Sequence, residues 1–597
     1  MDISDFSNVK SIYSSTWQKN ILKIQHENVV LWKGDAEIPE NCCYIENLSN
    51  QSNTLTCGIK IDWLDEDDVI WQNSYTHTIG PREKVYIKSN SLGYHTSVFD
   101  PDEQEVYDYY YYGQIRGTQG FKVGGSVMTL CMTATPTEYT FKYAFEHNLI
   151  DASELIIPTP TVQKQYNYLF SGCTELTVLP TLSATSLTNY CYQYMFEGCT
   201  GLTSIPNLPA TSLNSYCYQG MFKGCTGLTT LPNFPNITLE FGCYQSMFEG
   251  CTGLTSIPNL PVTAVARYCY SSMFKGCTGL TTLPDFPNIT LAYGCYSYMF
   301  EGCTGLTSIP NLQSTSLNPY CYQGMFKGCT GLTTLPNFPN ITLAQYCYVG
   351  MFENCTGLTS IPTLQATQLQ SNCYENMFKG CTGLTTLPNF TNANLATRCY
   401  QGMFENCTGL VSIGTIQYQA SATYFCQQMF RGCTSLTTIP DFPDVALANY
   451  CYIYMFENCT ALTTAPKLQA SSLSPGCYYS MFKGCTSLTT PPDLPVTSLQ
   501  DYCYSQMFYG CTSLTTAPVL PATSTVYQCY TQMFRGCTNL NYVKAMFTTT
   551  PNTGMSTYYW LSDVASSGTF VKNSAATWTN TGISAVPSGW TIEYASN

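Results

Sequence analysis

Cysteine is the residue type in this chain with the most latent chemistry. There are 33 cysteines in 597 residues. A thiolate can attack an electrophile, ligate a soft metal or pair as a disulfide. Spacing decides among these. The stretch "CYQGMFKGCTGLTTLPNFP" (Cys217 to Pro235) carries two cysteines eight apart. It returns 26 residues later as "CYQSMFEGCTGLTSIPNLP", and again as "CYSSMFKGCTGLTTLPDFP". The cysteine that precedes a threonine recurs at 15 positions from Cys173 to Cys537 without insertion or deletion. Its companion recurs 14 times from Cys191 to Cys529, and one copy slips: "YFCQQMF" puts Cys426 one place late, with Phe425 in its slot. The ladder holds 29 of the 33 cysteines, and Cys42, Cys43, Cys57 and Cys131 stand outside it.

Residues such as Cys199, Cys217, Cys225, Cys243, Cys251, Cys269 and Cys277 therefore occupy equivalent places in successive repeats. A metal site is disfavoured, because no C-x-x-C occurs and the repeats contain no histidine. If repeats stack at strand spacing, equivalent cysteines come about 5 Å apart, within disulfide reach. Yet each would have two rival partners, so packed thiols are the better reading. The ladder is read as structural. The four histidines (His26, His77, His95 and His147) all precede the regular repeats. No phosphate-binding glycine loop and no nucleophile elbow is present. The pair Cys42-Cys43 reads as packing, with a reactive pair as the alternative. The expectation is a non-enzyme with no cofactor and no metal.

The elements that position the ladder follow from one repeat. In Cys199 to Gly224, "CTGLTSIPNL" places Leu202, Ile205 and Leu208 on an extended segment where Pro206 forbids a helix. "PATSLNSY" adds Leu213. "CYQGMFKG" sets Cys217, Met221 and Phe222 at i, i+4, i+5, which reads as a short helix closed by Gly224. The expected fold is an α/β solenoid: a right-handed coil with 26-residue rungs, each a short strand plus a short helix. No rung buries its apolar side alone, so the rungs must stack. Fifteen rungs would make a curved rod on the order of 70 Å long.

The residue after "MF" alternates in sign from Glu197 and Lys223 to Arg535, with Tyr509 the one uncharged member of 14. In a stack these side chains form a column in which each charge partners its neighbours. Copying of a 52-residue double rung explains the alternation equally well, although Arg431 and Arg535 keep the sign while changing the residue.

The pattern C-x-x-L-x-x-I-P-x-L-P…C-Y-x-x-M-F-x-G resembles the BspA-type (Treponema-like) leucine-rich repeat, with Met-Phe where that pattern has Ala-Phe. The resemblance runs over roughly 140–545. "KYAFEHNLIDASELIIP" (Lys142 to Pro158) looks like a worn entry rung, and "WLSDVASSGTFVKNSAATWTNTGISAVPSGWTI" (Trp560 to Ile592) like a closing motif. The flanks are similar to those of repeat proteins from gut Bacteroidales and their bacteriophages. "VKSIYSSTWQKNILKIQHENVVLWKGD" resembles the opening of phage tail and fibre proteins. The runs "TLTCGIKIDWL", "VIWQNSYTHTI" and "KVYIKS" alternate and read as a small β-sandwich. The expected divisions are a virion-attachment segment (1–40), a β-rich domain (41–139), the solenoid (140–545) and a C-terminal cap (546–597).

Bulk composition narrows the function. Charged residues are only 10%, and the net charge is -14. To residue 160 there are 22 acidic and 11 basic side chains, so most of that charge lies early. Nothing resembles a basic nucleic-acid surface. The acidic runs Asp62 to Asp68 and Asp100 to Asp108 read as solvated loops, with a Ca²⁺ site as the alternative. No apolar run is long enough to cross a membrane, and no secretory signal is seen at the N-terminus. "YDYYYYG" places Tyr107, Tyr109, Tyr110, Tyr111 and Tyr112 together, either as a β-edge or as a contact for a ligand or subunit.

The resemblances imply a bacteriophage virion protein (tail, baseplate or fibre), assembled in the bacterial cytoplasm. It would be held to other virion subunits through its N-terminal region, with homo-oligomers possible. Its solenoid would bind a host-surface glycan or protein. A purely structural virion component and a bacterial cell-surface adhesin stand beside this reading.

Overall fold

The computed structural model describes residues 12–14, 22–24, 42–65, 72–88, 95–100, 105–110, 115–127, 138, 141–145, 147–260, 265–390, 395–417 and 422–595. They fall into two compact units, Met1–Thr263 and Ala264–Asn597.

In the first unit, β1 (Ile12–Ser14) and β2 (Leu22–Ile24) pair antiparallel. β3 (Tyr44–Asn47), β4 (Asn53–Asp65), β5 (Gln72–Ile79) and β6 (Lys84–Lys88) follow. β7 (His95–Asp100) and β8 (Glu105–Tyr110) form a separate antiparallel pair. β9 (Ile115–Gly117), β10 (Phe121–Ser126) and β11 (Leu149–Ile156) complete the set. The described parts of the three alternating runs of the sequence lie in β4, β5 and β6. They belong to one seven-stranded sheet ordered β11-β10-β3-β6-β4-β5, with β9 beside β4. β4 meets β9 through Leu55–Cys57 and β6 through Asp62–Asp65, so one long strand serves two partners. These pairings give one sheet and do not define the second layer of a sandwich.

That sheet leads into the repeats. β10 and β11 run parallel, and β11 and the residue after it are bridged in parallel to the first rungs, Asp151 to Val178 and Ile157 to Leu182. Rings continue the register: Phe145 stacks on Phe170 at 5.5 Å, and Phe170 on Phe196 at 5.1 Å. The apolar side of the first rung is thus covered rather than left open, as a stacked array requires.

Each rung has an extended pass and a turning pass. Extended passes of neighbouring rungs pair in parallel with an offset of 26, as in Thr386↔Ser412, Ser412↔Thr438 and Thr464↔Thr490. β12 (Ile341–Thr342) and β13 (Ala366–Gln368) are a longer instance.

The turning pass is not the short helix that the sequence suggested. Its amides alternate in their use. Those of Tyr192, Tyr194, Phe196 and Gly198 donate to the next rung, to the carbonyls of Cys217, Gln219, Met221 and Lys223, at 2.7–3.0 Å. Those of Gln193, Met195, Glu197 and Cys199 donate three residues back within the rung. Every fourth residue takes a left-handed φ, as at Tyr190 (56°), Tyr194 (53°) and Gly198 (71°). The same pattern holds in the second unit at Tyr320, Gly324 and Gly328. Side chains then run two in, two out, with period four: Cys217, Tyr218, Met221, Phe222 and Cys225 point inward. The i, i+4, i+5 spacing read as helical belongs equally to this four-residue turn. The physical reason is rise. Packed helices need axes 8–10 Å apart, whereas equivalent rings here lie about 5–6 Å apart, for example Phe326–Phe352 at 5.7 Å.

The second unit ends in a parallel sheet of β14 (Tyr542–Ala545), β15 (Thr569–Lys572) and β16 (Thr591–Tyr594). Trp560, Trp578, Trp590 and Phe570 fill its interior. Each indole N–H finds a carbonyl, at Ala585, Phe547 and Ala565 respectively. Lys572 is buried there and donates to the Trp578 carbonyl at 2.9 Å.

Close stacking makes one glycine testable. Gly324 has φ 57°, and a Cβ added to it would lie 2.4 Å from the Tyr298 ring. Gly324→Ala is expected to destabilise the second unit by about 1–3 kcal/mol. The additional change Tyr298→Ala should restore part of that loss, because it removes the ring above. Denaturant melts of the single and double variants check both effects.

Candidate functional site: cysteine files and outward faces

The rung geometry puts both cysteine files in the interior. Cys199, Cys217, Cys225, Cys243, Cys251, Cys269 and Cys277 are all buried, and the cysteines of the ladder carry thiols rather than disulfides. The file that precedes threonine has a defined bond. Cys199 Sγ donates to the Phe170 carbonyl at 3.2 Å, and Cys329 Sγ to that of Phe300 at 3.1 Å. The same bond repeats as far as Cys537 and Phe508. The acceptor lies on the neighbouring rung and also takes the amide of the cysteine three residues after it, as Phe300 does from Cys303. Cysteine suits this place because it is small, apolar and still a weak donor.

The slipped copy obeys the same packing. Phe425 sits in the cysteine file and Cys426 in the tyrosine file, and both are fully buried. Large and small have changed places, so the summed volume is kept.

Burial makes the thiols chemically quiet. The thiols of Cys303, Cys355 and Cys407 are pushed up to about 12 by desolvation, and those of Cys217, Cys329 and Cys347 also rise. Burial, and then Cys42, push the Cys43 thiol up in the same way. A thiol so placed is neither nucleophile nor ligand at neutral pH. Among the described residues, no group of three or more His, Cys, Asp or Glu could hold a metal ion.

The charged column forms ion pairs between adjacent rungs. Lys223–Glu249 is 3.5 Å, Lys275–Glu301 2.9 Å, Lys327–Glu353 3.0 Å and Lys379–Glu405 2.8 Å. Arg431 reaches Glu405 and Glu457, and Lys483 also pairs with Glu457. Burial pushes the Glu197 carboxyl up, against the pull of Lys223. Tyr509 explains its own exception. Lys483 and Arg535 each stand 5.7 Å from its ring centroid, so the negative face of the ring does the work of a glutamate between two cations.

The tyrosines divide in a way that spacing alone did not reveal. The one beside each first cysteine is core: Tyr322, Tyr348 and Tyr374 are buried and stack at 5.6–5.8 Å. Spacing gives no signal for this, because a helical reading would set Cys217 and Tyr218 on different faces. Tyr320 and Tyr346, half-buried, stack at 4.7 Å with their faces against each other. The outward face of the extended pass carries hydroxyls instead. Thr203 and Ser204, Thr229 and Thr230, Thr333 and Thr334, and Thr359 and Ser360 are exposed pairs in the same register. Thr229, Thr359 and Thr489 donate to the carbonyls of Thr203, Thr333 and Thr463. Their partners in each pair are left to solvent. Asn207, Asn233 and Asn337 add an exposed amide file beside them. Of the tyrosine cluster, Tyr107, Tyr109 and Tyr110 lie on the backbone of β8, and Tyr111 and Tyr112 lie outside the described residues.

Parallel extended passes at strand spacing, a leucine at the same place in every rung and a 26-residue period define a leucine-rich-repeat solenoid. The sequence matches the BspA type leucine rich repeat region in six copies, over residues 138–281, 243–382, 347–489 and 454–559, and the chain belongs to that family. Among solved structures, a leucine-rich repeat protein from Bacteroides ovatus ATCC 8483 is 17% identical. Its TM-score is 0.32, over 68% of this chain and 86% of that one. The TLR13–ssRNA13 complex is 13% identical with a TM-score of 0.22, over 75% of this chain and 65% of that one. No curated protein matches.

Two outcomes test the thiol files. An unfolded thiol ionises near its ordinary value of 9.0, and a folded one such as Cys303 only near 12. Above about pH 9 the unfolded chain sheds protons that the folded chain keeps, so stability is full below that pH and falls as pH rises. Many thiols act together, so alkaline unfolding should be steep and release many protons, with little thiol reaction at pH 7 before denaturant is added. Potentiometric titration and a thiol reagent measure both. Cys329→Ser keeps a donor for the Phe300 carbonyl but buries a more polar group, and should cost about 1–3 kcal/mol. An unchanged melting curve would exclude an inward Sγ.

Proposed function

We propose that the protein is a non-enzymatic binding protein of the adhesin kind, and that the hydroxyl-rich face of its extended passes meets a host-surface glycan or protein. One observation carries this reading: the rungs from Thr203–Ser204 to Thr515–Thr516 present paired Thr or Ser hydroxyls outward, apart from Val411–Ser412, while their cysteines are turned inward. Rigid, uncharged hydroxyl files suit reversible polar recognition, and the thiols stand away from that face. Among the described residues, no helix is long and apolar enough to cross a membrane.

In its narrower form the proposal is a bacteriophage tail, baseplate or fibre protein found in the virion. Residues 1–40 and 41–139 would attach it to other virion subunits, and the solenoid, taken as a right-handed coil, would bind the receptor. The opening of the sequence supports this form, as does a charged fraction of 10%, which suits assembly. Nucleic acid is not a partner in this reading, and homo-oligomers are compatible with it. The low charge equally favours a structural subunit that packs its faces against others. A bacterial surface adhesin would use the same face.

The full-length chain, labelled and offered to bacterial cells and a glycan array, separates these readings. Binding that is lost in Ser308→Arg/Thr334→Arg/Ser360→Arg and kept in Gln345→Arg supports recognition through the hydroxyl face. Absence of binding by the unaltered chain overturns receptor recognition and leaves the structural role.

A further inference from the structure

The outward face of the extended passes in the second unit is periodic in two ways. The first period is the step from rung to rung. The amides of Thr333 and Thr359 donate to the carbonyls of Thr307 and Thr333 at 3.3 and 3.4 Å, and those of Val411 and Thr437 to Thr385 and Val411 at 2.9 and 3.0 Å. Backbones bonded in this way lie about 5 Å apart. The second period is twice as long. The exposed second member of each hydroxyl pair alternates, as Thr282, Ser308, Thr334, Ser360 and Thr386. From Leu283 to Ile361 the next residue alternates with it: Leu283 and Leu335 are half-buried, whereas Ile309 and Ile361 are buried. Between Cys303 and Phe390 the charged residues are Lys327, Glu353, Glu375 and Lys379, and all of them lie on turning passes.

A polymer that lies across the rungs must repeat at the same steps. An extended peptide advances only about 3.3–3.4 Å per residue and falls out of register. A polyanion meets no cation on this stretch of the face. A straight β-1,4-linked glycan advances per sugar by nearly the spacing of neighbouring strands, about 5 Å. Each of its rings is turned over relative to the one before, so it too repeats at every second unit. Its ring edges carry hydroxyls, and its axial C–H groups form apolar faces. Exposed Ser and Thr hydroxyls, which both donate and accept, suit the edges, and the half-buried leucines suit the faces. Resting on the reading above that this face recognises a glycan, we propose that its ligand is a neutral, linear, β-1,4-linked polysaccharide laid along the stacking direction, with one sugar to a rung. Contacts then add rung by rung, and affinity grows with chain length rather than residing in one terminal sugar.

Calorimetric titration of the full-length chain with β-1,4-linked oligomers of glucose, mannose and N-acetylglucosamine, from dimer to hexamer, is the test. In at least one series the Kd should fall by about tenfold from dimer to tetramer. The α-1,4-linked glucose oligomers, which coil and lose the step, should show no such gain. Ser308→Arg/Thr334→Arg/Ser360→Arg, checked by its melting curve, should bring the hexamer down to about the affinity of the tetramer, because the longest alternating run left is Ser204 to Thr282. Hexamer binding unchanged in that variant overturns the inference. Binding of a β-linked series without dependence on length, or an equal gain in the α-linked series, also overturns it and leaves glycan recognition standing. So does failure of all three β-linked series when other glycans on the array bind. Absence of binding across the whole array overturns the glycan reading itself, and this inference with it.

Discussion

The distance between successive rungs, about 5 Å, is the constraint from which the other features follow. It is set by backbone amides that donate to the next rung at every second residue of the turning pass, as Tyr192, Tyr194, Phe196 and Gly198 do. The remaining amides close turns within the rung, so the backbone is satisfied with no helix. Chain this closely stacked leaves no room for a Cβ at places such as Gly324 and puts identical side chains in contact along a file. Every residue choice must therefore work against a copy of itself. Aromatic rings do so by stacking and cysteines by being small. A lone charge does not, and the column alternates instead.

The same constraint disarms the residues with the most chemistry. The Sγ atoms sit against the Phe carbonyls of a neighbouring rung, and desolvation keeps them protonated. A hydroxyl in that position would bring more polarity than the site can use, and a larger apolar group would not fit beneath the next rung. Cysteine is kept here for its size and its weak donor, and its nucleophilicity is suppressed. What faces outward is the opposite kind of surface: hydroxyls and amides in register, with few charges.

Much of this was legible in the sequence. The period, the inward cysteines, the extended pass where Pro206 forbids a helix and the paired charges of the column all follow from spacing, because each is a property of one residue repeated at one place. The turning pass was not legible. Cys217, Met221 and Phe222 fit a helix and a four-residue turn equally well, and only hydrogen bonds to a neighbouring rung choose between them. The role of Tyr218 was hidden for the same reason, since a period of four turns two adjacent residues inward where a helix would separate them. Tyr509 looked like a lapse in the column until Lys483 and Arg535 were placed on its ring. The pairing of β4 with both β6 and β9 depends on contacts distant in sequence, which alternation of residues does not encode.

The alternating column has a consequence for how such an array changes length. Loss or duplication of a single rung would set two glutamates, or two lysines, side by side at the junction, whereas loss or duplication of two preserves every pair. Growth in the array is therefore subject to a parity rule. A tyrosine between two cations, as at position 509, is the kind of substitution by which an odd step becomes tolerable.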